Sequence, residues 1–118
     1  MLITEVGEFV RGADFWSCTP AVLNGEAIQI YSPEVSEHQG EIARWICGHW
    51  PIILEQCSEF IEAERASYEL HAQQFNTPSV FIGEGDDWSV YFRTEHEHDA
   101  IVGVDFERDM PVALMIGD

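Results

Sequence analysis

The sequence contains no lysine, and only five arginines stand against 22 aspartates and glutamates. The formal net charge of the 118-residue chain is therefore −17 at pH 7. This charge repels nucleic acids, anionic membranes and acidic substrates, and it attracts basic partners or multivalent cations. The same acidity also serves solubility. The composition thus excludes partners that carry negative charge themselves. A basic protein is the expected partner.

Long apolar runs are also missing, since no segment reaches the roughly 18 apolar residues of a transmembrane helix. The first residues, MLITEVGEFVRG, include acids where a secretion signal has basic residues followed by an apolar stretch. The chain has three cysteines, an odd number, and no two of them form a C-x-x-C pair: Cys18, Cys47 and Cys57. These features predict a cytoplasmic protein with free thiols that act as small buried hydrophobic groups.

Motifs that identify an enzyme are absent as well. The sequence has no glycine-rich phosphate loop, no G-x-S-x-G and no H-E-x-x-H. We therefore predict no catalytic residue, no cofactor and no enzymatic activity. The segment Glu95-His96-Glu97-His98-Asp99 is the one cluster of metal-capable side chains, and a metal-binding protein or small enzyme using His96 and His98 is an alternative. Because the spacing supplies no third ligand, the prediction is a solvated loop without metal.

Apolar residues make up 46% of the chain, which suffices for a packed core despite the charge. Without internal repeats or linkers, residues 1–118 are predicted to form a single domain. Its N-terminal third is expected to contain strands at residues 2–6, 15–23 and 26–31. Asn24-Gly25 predicts a type I′ hairpin between the last two strands. Pro20 places the middle strand at a sheet edge or breaks it.

Two helices are predicted in the centre. The first begins at Ser32-Pro33-Glu34, where serine caps the helix and proline occupies the first turn. Gly48 and Pro51 kink or end it, and the second helix continues to about Ala72. Its outer face carries Glu55, Glu59, Glu62 and Glu69. The alternating segments 79–83, 88–94, 100–106 and 111–116 then predict an antiparallel meander, so the expected fold is α+β, with an antiparallel sheet packed against the two helices.

Three groups of residues are candidates for binding a basic partner. Glu55 and Glu59 form a like-charge pair at helical spacing, where a lysine would be more stabilising. Trp88 follows two acids and is an aromatic anchor if it is exposed. The predicted interface consists of Glu55, Glu59 and Glu62 on the helix, Asp86, Asp87 and Trp88 at one loop, and Glu95, Glu97 and Asp99 at another.

The layout resembles that of the small acidic α+β immunity proteins that bacteria make against toxins. The segments behind the resemblance are VLNGEAI (22–28), the central helices, WSVYF (88–92), IVGVDF (101–106) and IGD (116–118). The resemblance implies an inhibitor that neutralises a toxic enzyme by binding it, and it assigns no binding residue. An alternative inhibitor is a DNA mimic, whose acids imitate phosphates and occupy a DNA-binding protein.

Overall fold

The computed structural model describes residues 2–3 and 6–117, and side chains from residue 6 onward. Within these ranges the chain forms two helices and nine strands, and a seven-stranded sheet contains all but the first two strands. The strands are β1 (Leu2–Ile3), β2 (Gly7–Glu8), β3 (Val10–Arg11), β4 (Trp16–Cys18), β5 (Ile28–Ile30), β6 (Phe75–Ile82), β7 (Asp87–Thr94), β8 (Ile101–Glu107) and β9 (Met110–Gly117), and the helices are α1 (Glu37–Gly48) and α2 (Trp50–Glu64).

The strands of the large sheet follow one another in chain order from β3 to β9. Every neighbouring pair is antiparallel except β5 and β6, which run parallel with Ile28 opposite Val80. Parallel neighbours need a long connection, and α1 and α2 supply it. The α+β class and the C-terminal antiparallel meander are therefore confirmed, with one parallel junction where the helices are inserted.

The helices cover one face of the sheet. Alternate residues of β7, such as Val90 and Phe92, are buried and face the helices, and Val102 and Val104 of β8 do the same. They join buried residues of both helices in one hydrophobic cluster, which includes Ile53. Neither helix is long and apolar enough to span a membrane.

The opposite face has no helix over it in the described ranges. A row of aromatic rings crosses it, in which Tyr31 stacks on Phe81 at 4.4 Å and Phe81 meets Tyr91 edge-on. Tyr91 lies directly over Gly103 of β8, where a Cβ atom would come within 2.7 Å of the ring. Glycine is therefore required at residue 103 for this ring to lie flat on the sheet.

The first helix begins later than the sequence predicts. Its N-cap is Ser36, whose hydroxyl accepts the Gln39 N–H at 3.0 Å, while the Gln39 side chain accepts the Ser36 N–H at 2.9 Å. This reciprocal capping box stabilises a start at Glu37. The segment Ser32-Pro33-Glu34 therefore precedes the helix, and the prediction that it begins the helix was wrong.

The helices are separated at His49, with Pro51 in the first turn of α2, as predicted. The end of α2 at Glu64 is earlier than the predicted Ala72. After it the chain turns, Glu69 adopts a positive φ of 53°, and the Arg65 side chain donates to the Ala72 carbonyl at 2.5 Å. Glu69 is consequently outside the helix.

The hairpin prediction was correct in backbone conformation and wrong in length. Asn24 and Gly25 both have positive φ, 52° and 91°. The antiparallel pairing of β4 with β5, however, starts at Cys18 opposite Ile28, so residues 19–27 form the connection. Pro20 caps a short 3₁₀ helix (Ala21–Leu23) and breaks the predicted strand. This is one of the two outcomes that the sequence predicts for this proline.

Candidate functional site

A cleft of about 480 Å³ lies between α1 and two loops at one end of the sheet. One loop joins β6 to β7 and the other joins β8 to β9. The β6–β7 loop contacts α1 through polar groups, and the Gln39 side chain donates to the Gly83 carbonyl at 2.9 Å. The cleft is lined by His38, Glu41, Ile42, Trp45, Asp86, Trp88, Arg108 and Asp109.

The floor of the cleft is aromatic. Trp88 stacks on Phe106 with centroids 4.1 Å apart, and Trp45 meets Trp88 edge-on at 6.1 Å. The Trp88 indole N–H donates to the Arg108 carbonyl at 2.7 Å. Because only 2% of Trp88 is exposed, its interpretation as an exposed interface anchor is corrected: it is a core residue at the bottom of the cleft.

Asp86 is fixed at the side of the cleft by His38 and Arg108. His38 Nε2 lies 2.6 Å from one carboxylate oxygen, and Arg108 Nε lies 3.5 Å from the other. The hydrogen bond from His38, together with the charges of His38 and Arg108, lowers the pKa of Asp86. The Asp86 carbonyl also accepts the Arg108 N–H at 3.1 Å. Asp86 therefore joins α1 to both loops, and it remains charged at neutral pH.

Glu41 and Asp109 form the rest of the polar rim, and both are exposed. With Asp86 they place three carboxylates around the apolar floor, against Arg108 and His38. Asp87, the first residue of β7, is exposed and lines a separate depression with Asp105, Glu107 and Val112. The cleft thus combines an acidic rim with aromatic walls.

The predicted patch at residues 95–99 has a structural role. The Glu95 carboxylate accepts the Gln73 and Gln74 N–H groups at 2.6 and 2.9 Å. The bond from Gln73 is the main cause of the lowered pKa of Glu95. These bonds fasten the loop between β7 and β8 to the segment that follows α2.

Asp99 makes the same kind of contact in a buried position. Asp99 is 4% exposed, and its carboxylate accepts the His71 and Ala72 N–H groups at 2.5 and 3.0 Å. Burial raises the pKa of Asp99, but these two bonds and the nearby histidines outweigh it, so the pKa is below its ordinary value. Asp99 is therefore corrected from an interface residue to a buried anchor of the chain.

His96 and His98 lie in the loop between β7 and β8, and not on a strand. The His98 N–H donates to His96 Nδ1 at 3.2 Å, and the His96 ring lies 5.4 Å from that of His71. Across residues 2–3 and 6–117, no group of three or more histidine, cysteine or acidic side chains is arranged to hold a metal. Glu97, in the same loop, is exposed.

The outer face of α2 carries the third predicted patch. Glu55, Glu59 and Glu62 are all exposed, as the helical pattern predicts. Glu62 is paired with Arg65 through a 2.7 Å contact, and this hydrogen bond lowers the pKa of Glu62. Among the described residues, Glu55 and Glu59 have no such ion pair.

The three thiols are free, as the sequence predicts. Cys18 and Cys57 are buried and Cys47 is half-buried. Burial raises the pKa of Cys57 to about 12 and that of Cys47 to about 11, with the Cys18 thiol adding to the latter. Since the thiolate is the reactive form, these residues are suited to packing and not to nucleophilic chemistry.

The structure brings together some residues that the sequence did not associate. Asp86 and Trp88 were predicted as neighbours in one loop, but His38, Trp45 and Arg108 reach the same cleft from α1 and from the next loop. His38 and Trp45 belong to the apolar period of α1, which gave no indication of which groups they face. The sequence signals available were a histidine and a tryptophan in the predicted first helix and acidic residues in the predicted turns.

Comparisons with protein-family models, with curated proteins and with solved structures gave no match to this chain. Function must therefore be inferred from the residues themselves.

Proposed function

We propose that this chain is an inhibitor that binds a basic partner protein, and that the cleft between α1 and the sheet-end loops receives a basic side chain of that partner. The observation that supports this most is the acidic rim of Glu41, Asp86 and Asp109 around an aromatic floor. An arginine or lysine has an apolar stem and a charged end, and such a cleft matches both parts.

The surrounding charge favours the same class of partner. Five arginines cannot neutralise 22 acids, so most carboxylates face solvent without an arginine. Two of the arginines are also used within the fold, because Arg11 donates to the Pro33 carbonyl and Arg65 to the Ala72 carbonyl. The resulting negative field accelerates encounter with a basic protein and suppresses encounter with an acidic one.

Within the cleft, a bound guanidinium has two kinds of contact. The carboxylates of Glu41 and Asp109 are free to accept its N–H groups, whereas Asp86 is already held by His38 and Arg108. Trp45 is half-buried on α1 and presents an aromatic surface beside them. A cation close to a tryptophan face adds cation–π attraction to the charge-assisted hydrogen bonds.

Enzymes that act on nucleic acids have basic clefts, which makes them natural targets for an acidic inhibitor. The resemblance of the sequence layout to small acidic immunity proteins favours a bacterial toxin as the target and the cytoplasm as the place of action. The chain would neutralise the toxin by covering its basic surface, without chemistry of its own.

The test is a low-salt capture of partners from lysate of the source cell, followed by a salt step and identification of what is released. Two charge-matched variants separate the surfaces: Glu41→Gln with Asp109→Asn in the cleft, and Glu55→Gln with Glu59→Gln on α2. We expect one stoichiometric basic protein, toxic when expressed alone, whose affinity falls at least about tenfold in the cleft variant.

Three outcomes would contradict the proposal. Release of many basic proteins at moderate salt would mean that the charge is unspecific. A larger loss in the α2 variant than in the cleft variant would move the contact to the helix. Displacement of the partner by DNA of any sequence, combined with no toxicity when the partner is expressed alone, would indicate a DNA mimic of a DNA-binding protein.

A further inference from the structure

The two edges of the seven-stranded sheet differ in length and charge. At one edge, β3 has two residues and includes Arg11. At the other, β9 has eight residues, MPVALMIG, and none of them is charged. Natural sheets shorten, charge or kink their edge strands because an open edge pairs readily with another strand. By this standard β3 is better protected than β9.

The free side of β9 presents backbone groups that the sheet does not use. The Leu114 N–H points toward the hydroxyl of Tyr68, 3.5 Å away, and hence away from β8. Because N–H directions alternate along a strand, the Ile116 N–H points the same way. A bond of 3.5 Å is long, so Tyr68 is a weak cover for this edge.

The protection that β9 does have is limited to its first half. Pro111 lacks an N–H group, and a register shift after Asp105 leaves Val112 without an opposite residue on β8. From residue 113 to 117 the pairing with β8 is regular. The strand also exposes large apolar side chains: Met110, Val112 and Met115 are 60%, 53% and 39% exposed.

We propose that β9 pairs antiparallel with β9 of a second copy of this chain, which joins the two sheets into one. A basic partner is recognised through carboxylates, and β9 offers none. Two chains of charge −17 repel each other least where neither surface is charged. An edge strand is also complementary to itself around a two-fold axis, and the short, charged β3 does not extend the assembly further. The inferred assembly is a closed dimer.

This association has a salt dependence opposite to that of the proposed inhibitor complex. Salt screens the repulsion between two acidic chains, so the β9 dimer should strengthen as the Debye length falls from about 10 Å at 0.1 M to about 3 Å at 1 M salt. A complex with a basic protein should weaken over the same range. The dimer can be measured on the purified chain alone, so its failure and that of the proposed function are separate results.

The experiment is sedimentation analysis of the full chain across a concentration series at low and high NaCl. Met115→Lys places a charge on β9 and, by symmetry, two charges at the interface. Val10→Lys makes the same change in charge at a 63% exposed residue of β3 and is the matched control. Thermal melting of both variants confirms that each is folded.

We expect a dimer of the 13.4 kDa chain whose dissociation constant falls as salt rises. Met115→Lys should weaken it by more than about tenfold, and Val10→Lys should leave it close to wild type. A monomer under all conditions, a dimer weakened by salt, or a dimer unchanged by Met115→Lys would each overturn the proposal.

Discussion

Acidic side chains occur both in the loop between β7 and β8 and on the outer face of α2, yet only the loop has carboxylates that bond to backbone N–H groups of a distant segment. Glu95 and Asp99 each accept two backbone N–H groups from the segment after α2. Glu55 and Glu59 are exposed and make no such bond to any residue the structure describes. Carboxylates that are equivalent in the sequence thus divide into those that hold the chain together and those available to a partner.

The same division applies to the group at the β6–β7 loop. Asp86 and Trp88 bind groups of their own chain, while Asp87 is exposed beside them. A negative surface can serve recognition only where its acids are not already used by the fold. Substitution of an acid that the fold uses should therefore affect stability more than binding. Substitution of a free acid should affect binding more than stability.

The largest effect on stability is expected at Trp88. Trp88→Ala removes the stack on Phe106 and the hydrogen bond to the Arg108 carbonyl, and it leaves a cavity in the core. The expected loss is about 4 kcal/mol in the free energy of unfolding, which lowers Tm by roughly 15 °C. Thermal melting measures it.

Trp88→Phe serves as the control, because it keeps an aromatic ring and removes the indole N–H. Its cost should be about 1–2 kcal/mol. If Trp88→Ala left Tm unchanged, Trp88 would be a surface residue, and this would contradict the structure.

The next effect is expected at Asp99. Asp99→Ala leaves the His71 and Ala72 N–H groups without their buried carboxylate, at a cost of about 3 kcal/mol. Glu97→Ala removes an exposed acid from the same loop and should be nearly neutral. Denaturant unfolding compares the two, and equal stability of both variants would show that the contacts of Asp99 do not matter.

The stability that Asp99 provides also depends on pH. Its pKa is lowered from an ordinary value of 3.8, so its contribution is complete above that value and is lost as the pH falls through the lower folded pKa. Wild type should therefore lose stability below about pH 4 more steeply than Asp99→Ala. Parallel acid-unfolding curves for the two proteins would disprove this assignment.

Much of the fold follows from the sequence because periodicity reports local structure. The last three strands and the break at His49 lie where alternation and Pro51 place them, whereas β6 begins at Phe75 and not at residue 79, with a register shift between Asn76 and Ser79. The errors occur at helix ends, where an unexpected side chain forms the hydrogen bonds to free backbone groups. Ser36 and Gln39 form the cap that Ser32 was expected to provide, and Arg65 binds the Ala72 carbonyl where the helix was expected to continue.

The site is less predictable than the fold because it depends on contacts distant in sequence. His38 and Asp86 are 48 residues apart, and Asp99 reaches back 28 residues to His71. No local pattern distinguishes Asp99 from Glu97, which lies two residues earlier and is exposed. Charge composition predicts the class of partner, and only the tertiary structure separates structural acids from free ones.

The smallest effect on stability is expected for Glu55→Gln combined with Glu59→Gln, which removes a like-charge pair spaced four residues apart on an exposed face. Because the fold uses neither carboxylate, Tm should stay within about 2 °C of wild type and shift upward if at all. Association with a basic partner should slow modestly at low salt and match wild type at high salt, since these acids contribute only to the long-range field. Stopped-flow association rates at two salt concentrations measure this. A fall in Tm as large as that of Asp99→Ala would show that α2 carries structural acids too, and the contrast between the two regions would then fail.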